Sequence, residues 1–282
     1  MASLSDFSEL DIQLKSTTSK QQKVKCPKCK EKGKSNLSDN CLSINLNEGL
    51  YNCHKCAWSG KVRTEQTITQ MIEQTKQYVL PKNDDLSDIK NNAIQFLKDR
   101  GITQEVIDKN KVKSSRDGRG VVFAYYKDSK VINYKTRAID SKKFFQAKEA
   151  QPIMYNYDRI KETNSVFICE GEMDSLSWEV AGVDFHTSVS QGAPNVGDKN
   201  IDKKLECLNT CAEVFENKKT IYIAVDNDEN GRFLEKELVR RFGAERCLLV
   251  DFSPYKDANE VLVKEGIEGL HKRAKNASRP KI

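Results

Sequence analysis

No stretch of this 282-residue chain approaches the roughly 20 consecutive apolar residues of a membrane span. Hydrophobic residues make up only 38%, and mean hydropathy is -0.67. The opening segment, "MASLSDFSELDIQLKSTT", lacks the basic start and apolar run of a secretory signal. These absences leave no membrane partner and place the expected protein in a cytoplasmic, reducing compartment, that of a bacterium or of a phage-infected host. Charge of one sign is also scarce, since 47 Lys/Arg face 41 Asp/Glu for a net of +6. The scarcity is local: Lys109 to Lys148 holds 12 Lys/Arg against three Asp, a net of +9 that leaves the rest of the chain at −3. A basic middle beside a more acidic C-terminal half points to a polyanion partner held near a metal. The length suffices for two or three small domains. Nine cysteines in a reducing compartment need a reason other than disulfides.

Four of them supply one. "CPKC" at Cys26–Cys29 and "CHKC" at Cys53–Cys56 stand 23 residues apart. Each knuckle aims two thiolates at one point, and two knuckles make the tetrahedral site that zinc prefers. Between them Leu42, Ile44 and Leu46 alternate with polar residues as a strand does, "NEG" (Asn47 to Gly49) is a tight turn, and "LYNC" starts a return strand. The pattern is a zinc ribbon with one structural zinc, because so small a core needs metal to hold together. A redox pair or chance spacing is the alternative. Cys41 is read as a core thiol and His54 as a surface side chain.

A polar, Gln- and Thr-rich linker follows over 63–85. "SDIKNNAIQFLKDRGIT" then places Ile89, Ala93, Ile94, Phe96 and Leu97 at helical spacing, with Ser87 as N-cap and Gly101 as stop. "GRGVVFAYY", "KVINYKTRAI" and "KKFFQA" read as short antiparallel strands. Lys135, Arg137, Lys142 and Lys143 sit there among Tyr134, Phe144 and Phe145, an interleaving that suits phosphates and stacked bases as well as a solvated sheet face.

From Ser165 strand and helix alternate. "SVFIC", "TIYIAV" and "RCLLVDF" are apolar strands, and helices follow them with Met173, Leu176, Ser177 and Val180 on one face and Leu234, Leu238 and Phe242 on another. Three such strands predict a parallel sheet covered on both faces, with its crevice at the carboxyl ends. Glu170, Asp226, Asp228 and Asp257 all come after strand ends. Clustered carboxylates raise one another's pKa unless a divalent ion neutralises them, and such hard oxygen ligands suit magnesium. Capping of helix N-termini is the competing explanation for any one of them.

Glu170-Gly171, Asp226-x-Asp228 with Gly231, and "KDANE" from Lys256 together resemble the Toprim module of primases, topoisomerases and some nucleases. A four-cysteine ribbon ahead of a basic segment and this module resembles the DnaG-type primases. "EGEMDSLS", "KDANE" and "CLSINLNEGLYNCHKC" are similar to the primase half of phage primase-helicases, related to Twinkle. The resemblance implies an α+β and α/β multidomain chain. It divides into a ribbon (1–62), the linker, a basic subdomain of an RNA-polymerase core (86–160), a Toprim domain (161–262) and a basic tail (263–282). It implies a DNA primase that makes short RNA primers from ribonucleoside triphosphates on a single-stranded DNA template, with a replicative helicase in cis or in trans. By the same resemblance Glu170, Asp226 and Asp228 are magnesium (or manganese) ligands, with Asp174 and Asp257 in support. Lys135 and Arg137 face nucleotide phosphates, Lys142 and Lys143 aid binding, and Gly192 in "SQGAPN" belongs to a glycine loop beside the site. Asn259 departs from chromosomal primases, which often carry an acid there. The alternatives are a Toprim nuclease and a catalytically inactive nucleic-acid-binding regulator. No Walker A glycine loop is present, so a helicase is not expected within these residues.

Overall fold

Leu42 and Ile44 are buried while Ser43 and Asn45 are half-exposed, the alternation of a strand with one face on a core. That strand belongs to the first of two units in this computed structural model, Met1–Gln77 and Tyr78–Ile282. The structure describes residues 7–8, 10–16, 21–31, 33, 39–46, 49–62, 78–81 and 86–280. Most of the 63–85 linker and the Asn47–Glu48 part of the expected turn lie outside them. No helix among the described residues is long and apolar enough to cross a membrane.

The first unit is an antiparallel sheet in chain order, β1 (Gln21–Val24), β2 (Leu42–Asn45), β3 (Leu50–Cys53) and β4 (Ser59–Lys61). Pro27 opens the short helix α1 (Pro27–Glu31), a first-turn position where its missing N–H costs nothing, and the helix carries Cys29. Val24, Leu42, Ile44, Leu46 and Val62 form a small core. Phe7 and Ile12 close it, so the N-terminal segment is a structural part of the ribbon unit.

In the second unit, β5 (Leu86–Ser87), β6 (Lys113–Ser115), β7 (Gly120–Lys127), β8 (Lys130–Ala138) and β9 (Phe144–Gln146) form an antiparallel sheet in chain order. Helices α2 (Asn91–Lys98) and α3 (Gln104–Lys109) lie between β5 and β6. Ser87 is not the N-cap of α2. It belongs to β5, its hydroxyl donates to the Ser114 and Ser115 carbonyls of β6, and Lys90 occupies the cap position without a side-chain bond.

After α4 (Tyr157–Ile160) comes a parallel sheet of four strands rather than three. Its order is β11 (His186–Ser188), β10 (Ser165–Cys169), β12 (Thr220–Ala224), β13 (Cys247–Leu249). Strand β11 reads "HTS" and has no apolar run to announce it. Helix α5 (Glu172–Val180) follows β10, and its buried residues include Glu172, Ser175, Ser177 and Glu179. The expected single apolar face is therefore too narrow, since polar partners line the rest. Glu179 accepts two bonds from Arg159, at 2.7 and 2.8 Å, and pairs with His186 at 3.1 Å. Short helices α6 (Ile201–Lys204), α7 (Glu206–Thr210) and α8 (Ala212–Glu216) precede β12, and α9 (Glu229–Phe242) follows it. Leu234, Leu238 and Phe242 of α9 are buried as the stripe predicts.

One core runs through both sheets of this unit. Tyr155 meets Phe123 and Tyr125 of β7 edge-on at 6.1 and 5.4 Å, and Phe167 of β10 stacks on Tyr222 of β12 at 4.1 Å. The stretch read as a basic tail is part of the fold. Helix α10 (Ala258–Lys275) continues past a non-helical Gly266, buries Leu270, and Ser278 then pairs with Leu249 of β13.

Candidate active site and metal centre

In the ribbon unit the four knuckle cysteines bring their sulfurs within 4.8 Å of one another. Cys26 and Cys56 stand 3.7 Å apart and Cys29 and Cys53 3.6 Å apart. Ligands about 2.3 Å from a tetrahedral zinc are separated by about 3.8 Å, so the cluster fits a zinc site. Burial opposes ionisation of the Cys53 thiol, but the backbone amides of Cys56 and Lys55 outweigh it and bring the thiol down to about 6. Cys41 is buried outside the cluster, and exposed His54 bonds the Ser43 hydroxyl at 2.8 Å.

Parallel strands end at the same edge of their sheet, which brings their following residues together. Strand β10 delivers Glu170, and β12 delivers Asp226 and Asp228. Asp174 lies in the first turn of α5. Asp257 arrives differently: residues 250–256 separate it from β13, and Asp251, nearer the strand, is occupied with Ser253 and Asn227. Asp257 caps α10 by accepting the Glu260 N–H at 2.8 Å, and Asp228 caps α9 by accepting the Gly231 N–H at 2.9 Å. Capping and convergence are thus compatible. Gly231 is required there, because a Cβ would overlap the Asp226 carbonyl and push the helix away.

A cavity of about 870 Å³ opens at this edge. Glu170, Asp174, Asp226 and Asp257 line it together with Lys135, Arg137, Lys142 and Phe144. Asp228 is not among the lining residues and meets the cavity only through Lys256, 3.2 Å away. The Ser190–Asn195 loop also contributes, with Gly192 in a left-handed conformation (φ +68°) beside the Glu170 carboxylate. Lys143 is elsewhere. It lines a groove with Arg116, Arg119, Tyr134 and Thr136, of which Tyr134 and Thr136 alternate along β8 with Lys135 and Arg137 and so point to the opposite face.

Two residues of the cavity, Glu172 and Lys256, were missed by sequence reasoning. Glu172, almost wholly buried, accepts from Lys135 Nζ at 3.0 Å and from the Tyr125 hydroxyl, and so aims Lys135. Lys256 Nζ lies 2.9 Å from Asp226 and 3.2 Å from Asp228. The second glutamate of "EGE" and the lysine of "KDANE" were their only signals.

Burial, reinforced by the Asp226 charge, pushes the Glu170 carboxyl up to about 7. Burial also raises Asp174 well above the carboxylate range, with Asp257 and Asp226 adding to it, and raises Asp226 and Asp257. Asp228 departs from them: bonds from Gly231 and Lys256 outweigh its burial and hold it low. Buried Glu170 Oε2 has no hydrogen-bond partner among the described residues, and neither has Arg137 Nε or Ser190 Oγ. An orphaned carboxylate oxygen among acids that resist ionisation is what a divalent cation relieves, although among the described residues only the four cysteines gather their ligand atoms as closely as a bound metal needs.

Asn259 shows why this chain does without a further acid. Its amide donates to the Arg100 carbonyl at 2.8 Å and the Ser177 hydroxyl at 3.0 Å, and its N–H donates to Asp174 at 3.1 Å. A carboxylate cannot donate to a carbonyl. Asn259→Asp should therefore destabilise the second unit by roughly 1–3 kcal/mol through an unsatisfied Arg100 carbonyl, read as a lower Tm of that unit.

Residues 167–262 match the Toprim-like family. The chain is 31% identical over 263 residues to the Twinkle homolog protein, chloroplastic/mitochondrial, of Arabidopsis thaliana, covering 86% of this chain but only 36% of that one. It is 31% identical over 271 residues to the Primase homolog protein of Arabidopsis thaliana, covering 89% of this chain and 80% of that one. Its fold is similar to the primase fragment of the bacteriophage T7 primase-helicase protein, with a TM-score of 0.55 at 19% identity over 84% of this chain and 95% of the fragment. With a four-cysteine cluster ahead of a basic sheet and a Toprim sheet, and 31% identity along most of a full-length primase homologue, the chain belongs to the DnaG-type primases, in the branch shared by phage primase-helicases and Twinkle.

Proposed function

We propose that the chain joins ribonucleoside triphosphates into short RNA primers on a single-stranded DNA template. Glu170, Asp226 and Asp228 would hold magnesium or manganese, supported by Asp174 and Asp257, and Cys26, Cys29, Cys53 and Cys56 would hold one structural zinc. The observation that carries this reading is one cavity lined both by the clustered acids and by Lys135, Arg137 and Lys142. A nucleotide triphosphate with divalent metal has both charges to match. A bound divalent ion makes a hydroxyl more acidic and takes up charge on a leaving group.

The chain's own residues do the rest. Lys135, Arg137 and Lys142 neutralise and orient the triphosphate. Glu172 fixes the Lys135 ammonium in place, and its burial keeps that ion pair from being diluted by water. Phe144, half-exposed beside Arg137 with the guanidinium 5.5 Å from its ring, offers a face for a base. Gly192 of the Ser190–Asn195 loop lies beside the Glu170 carboxylate, and the neighbouring Ala193 amide favours its charged form. The ribbon would read the template, and the phage primase-helicase relatives point to a replicative helicase partner, in cis or in trans.

Arg137→Ala should raise the KM for nucleotide and lower kcat/KM by roughly ten- to hundredfold, equivalent to about 1.5–3 kcal/mol for a lost charged contact to phosphate, with the fold intact. Lys135→Ala should lose activity and stability together, because it strands the buried Glu172 carboxylate. Adding Glu172→Gln should recover stability without activity. Unchanged KM and kcat in Arg137→Ala would make this basic lining mere surface charge.

A further inference from the structure

Lys256 is half-exposed along its stem, yet its ammonium lies against two carboxylates, Asp226 at 2.9 Å and Asp228 at 3.2 Å. Its backbone is pinned from both sides. The Lys256 N–H donates to Glu260 Oε2 at 2.9 Å, and its carbonyl accepts the Asn227 N–H at 2.8 Å. Only the four-carbon stem is left to move, and it lines the same cavity as Lys135, Arg137 and Lys142. The ammonium can therefore leave the carboxylates for the cavity with no change in the backbone.

A single positive charge between two carboxylates is a partial substitute for a divalent ion. Both cannot use the same oxygens, since a cation a few ångströms from an ammonium in a partly buried site is strongly repelled. A cation binding alone must displace Lys256 into a cavity already lined by three cations, which is unfavourable. A cation arriving with a triphosphate brings the negative charge that accepts the displaced ammonium.

We propose that Lys256 is an exchangeable counter-ion: it holds Asp226 and Asp228 until a divalent cation takes their oxygens, then crosses to the phosphates of the incoming nucleotide. The proposal rests on reading the acid cluster as a divalent-metal site. It makes metal binding depend on nucleotide and, by reciprocity, nucleotide binding depend on metal. The same acids, without Lys256, would take up metal without a substrate.

The experiment uses the full zinc-loaded chain, with manganese binding followed by electron paramagnetic resonance and lysine acylation by mass spectrometry. In the wild type, manganese alone should increase acylation of Lys256 several-fold, and manganese with a non-hydrolysable ribonucleoside triphosphate should protect it again. Lys256→Met should bind manganese alone about tenfold tighter than wild type, within the usual range of coupling between sites, and should lose that advantage when nucleotide is added. Manganese that binds without changing Lys256 acylation, or no more tightly to Lys256→Met, overturns the proposal. The acylation result stands on the wild type alone, so it decides the matter even where the variant folds poorly. Manganese that fails to bind either protein would instead remove the metal-site reading itself, and this proposal with it.

Discussion

Asp226→Asn and Asp228→Asn should each abolish RNA synthesis, by roughly a thousandfold or more, while only Asp228→Asn lowers stability. The loss follows from removing a negative ligand where a catalytic ion supplies several kcal/mol, at about 1.4 kcal/mol per factor of ten. The stability effects follow from the two environments. Burial raises the Asp226 carboxyl above its unfolded value. A group shifted this way favours the folded state at pH below its unfolded pKa, and that advantage disappears as pH rises through the folded pKa. At neutral pH without metal the ionised Asp226 is a cost, and Asp226→Asn should leave Tm unchanged or raise it. Asp228 is held low by Gly231 and Lys256, so its stabilisation is present above the unfolded pKa and is lost as pH falls through the folded one. Asp228→Asn gives up that charge but keeps a good N-cap residue, and should lower stability by at most about 1 kcal/mol, seen as a slightly lower Tm. Thermal melts in metal-free buffer at neutral pH, beside a primer-synthesis assay, check both halves. A primer yield near wild type in either variant would remove these aspartates from the chemistry.

Cys53→Ser, or stripping of metal with a chelator, should unfold the ribbon unit and leave the second unit folded. The ribbon core is a few aliphatic side chains, Phe7 and the cysteines themselves. A structural zinc supplies about 10–16 kcal/mol to domains of this kind, more than the whole stability of a small fold. The second unit has its own core, running through both of its sheets. Metal analysis should find one zinc per chain in the wild type and none in Cys53→Ser. Calorimetry should lose one transition and keep the other, and template-directed initiation should disappear. Unchanged zinc in Cys53→Ser would exclude the cysteine site.

What the sequence made legible was what local pattern determines. The knuckles fix their own geometry over four residues, and the short β-branched apolar runs of β10 and β12 read as strands packed into a core, so Glu170, Asp226 and Asp228 could be placed at one edge. What it hid was decided by tertiary partners. Strand β11 is three residues long and β5 two, and they pair only because a longer neighbour offers its edge. Ser87 has the right chemistry for a cap, but β6 lies closer to its hydroxyl than α2 does. Lys142 and Lys143 are adjacent in sequence yet line different cavities. Glu172 looks like an ordinary first-turn acid, and only the fold brings Lys135 and Tyr125 to it from another sheet. Lys256 reaches Asp226 because the 250–256 segment returns to the β12 edge, where Asn227 bonds its carbonyl.

The most direct measurement incubates the wild-type chain with labelled ribonucleoside triphosphates and magnesium or manganese on circular single-stranded DNA of varied sequence, with no primer present. The account predicts short labelled RNA while the circles remain intact, with the yield abolished by Asp226→Asn. Circles that are opened or shortened while no ribonucleotide is incorporated would contradict it, and would assign the same carboxylates to a nuclease.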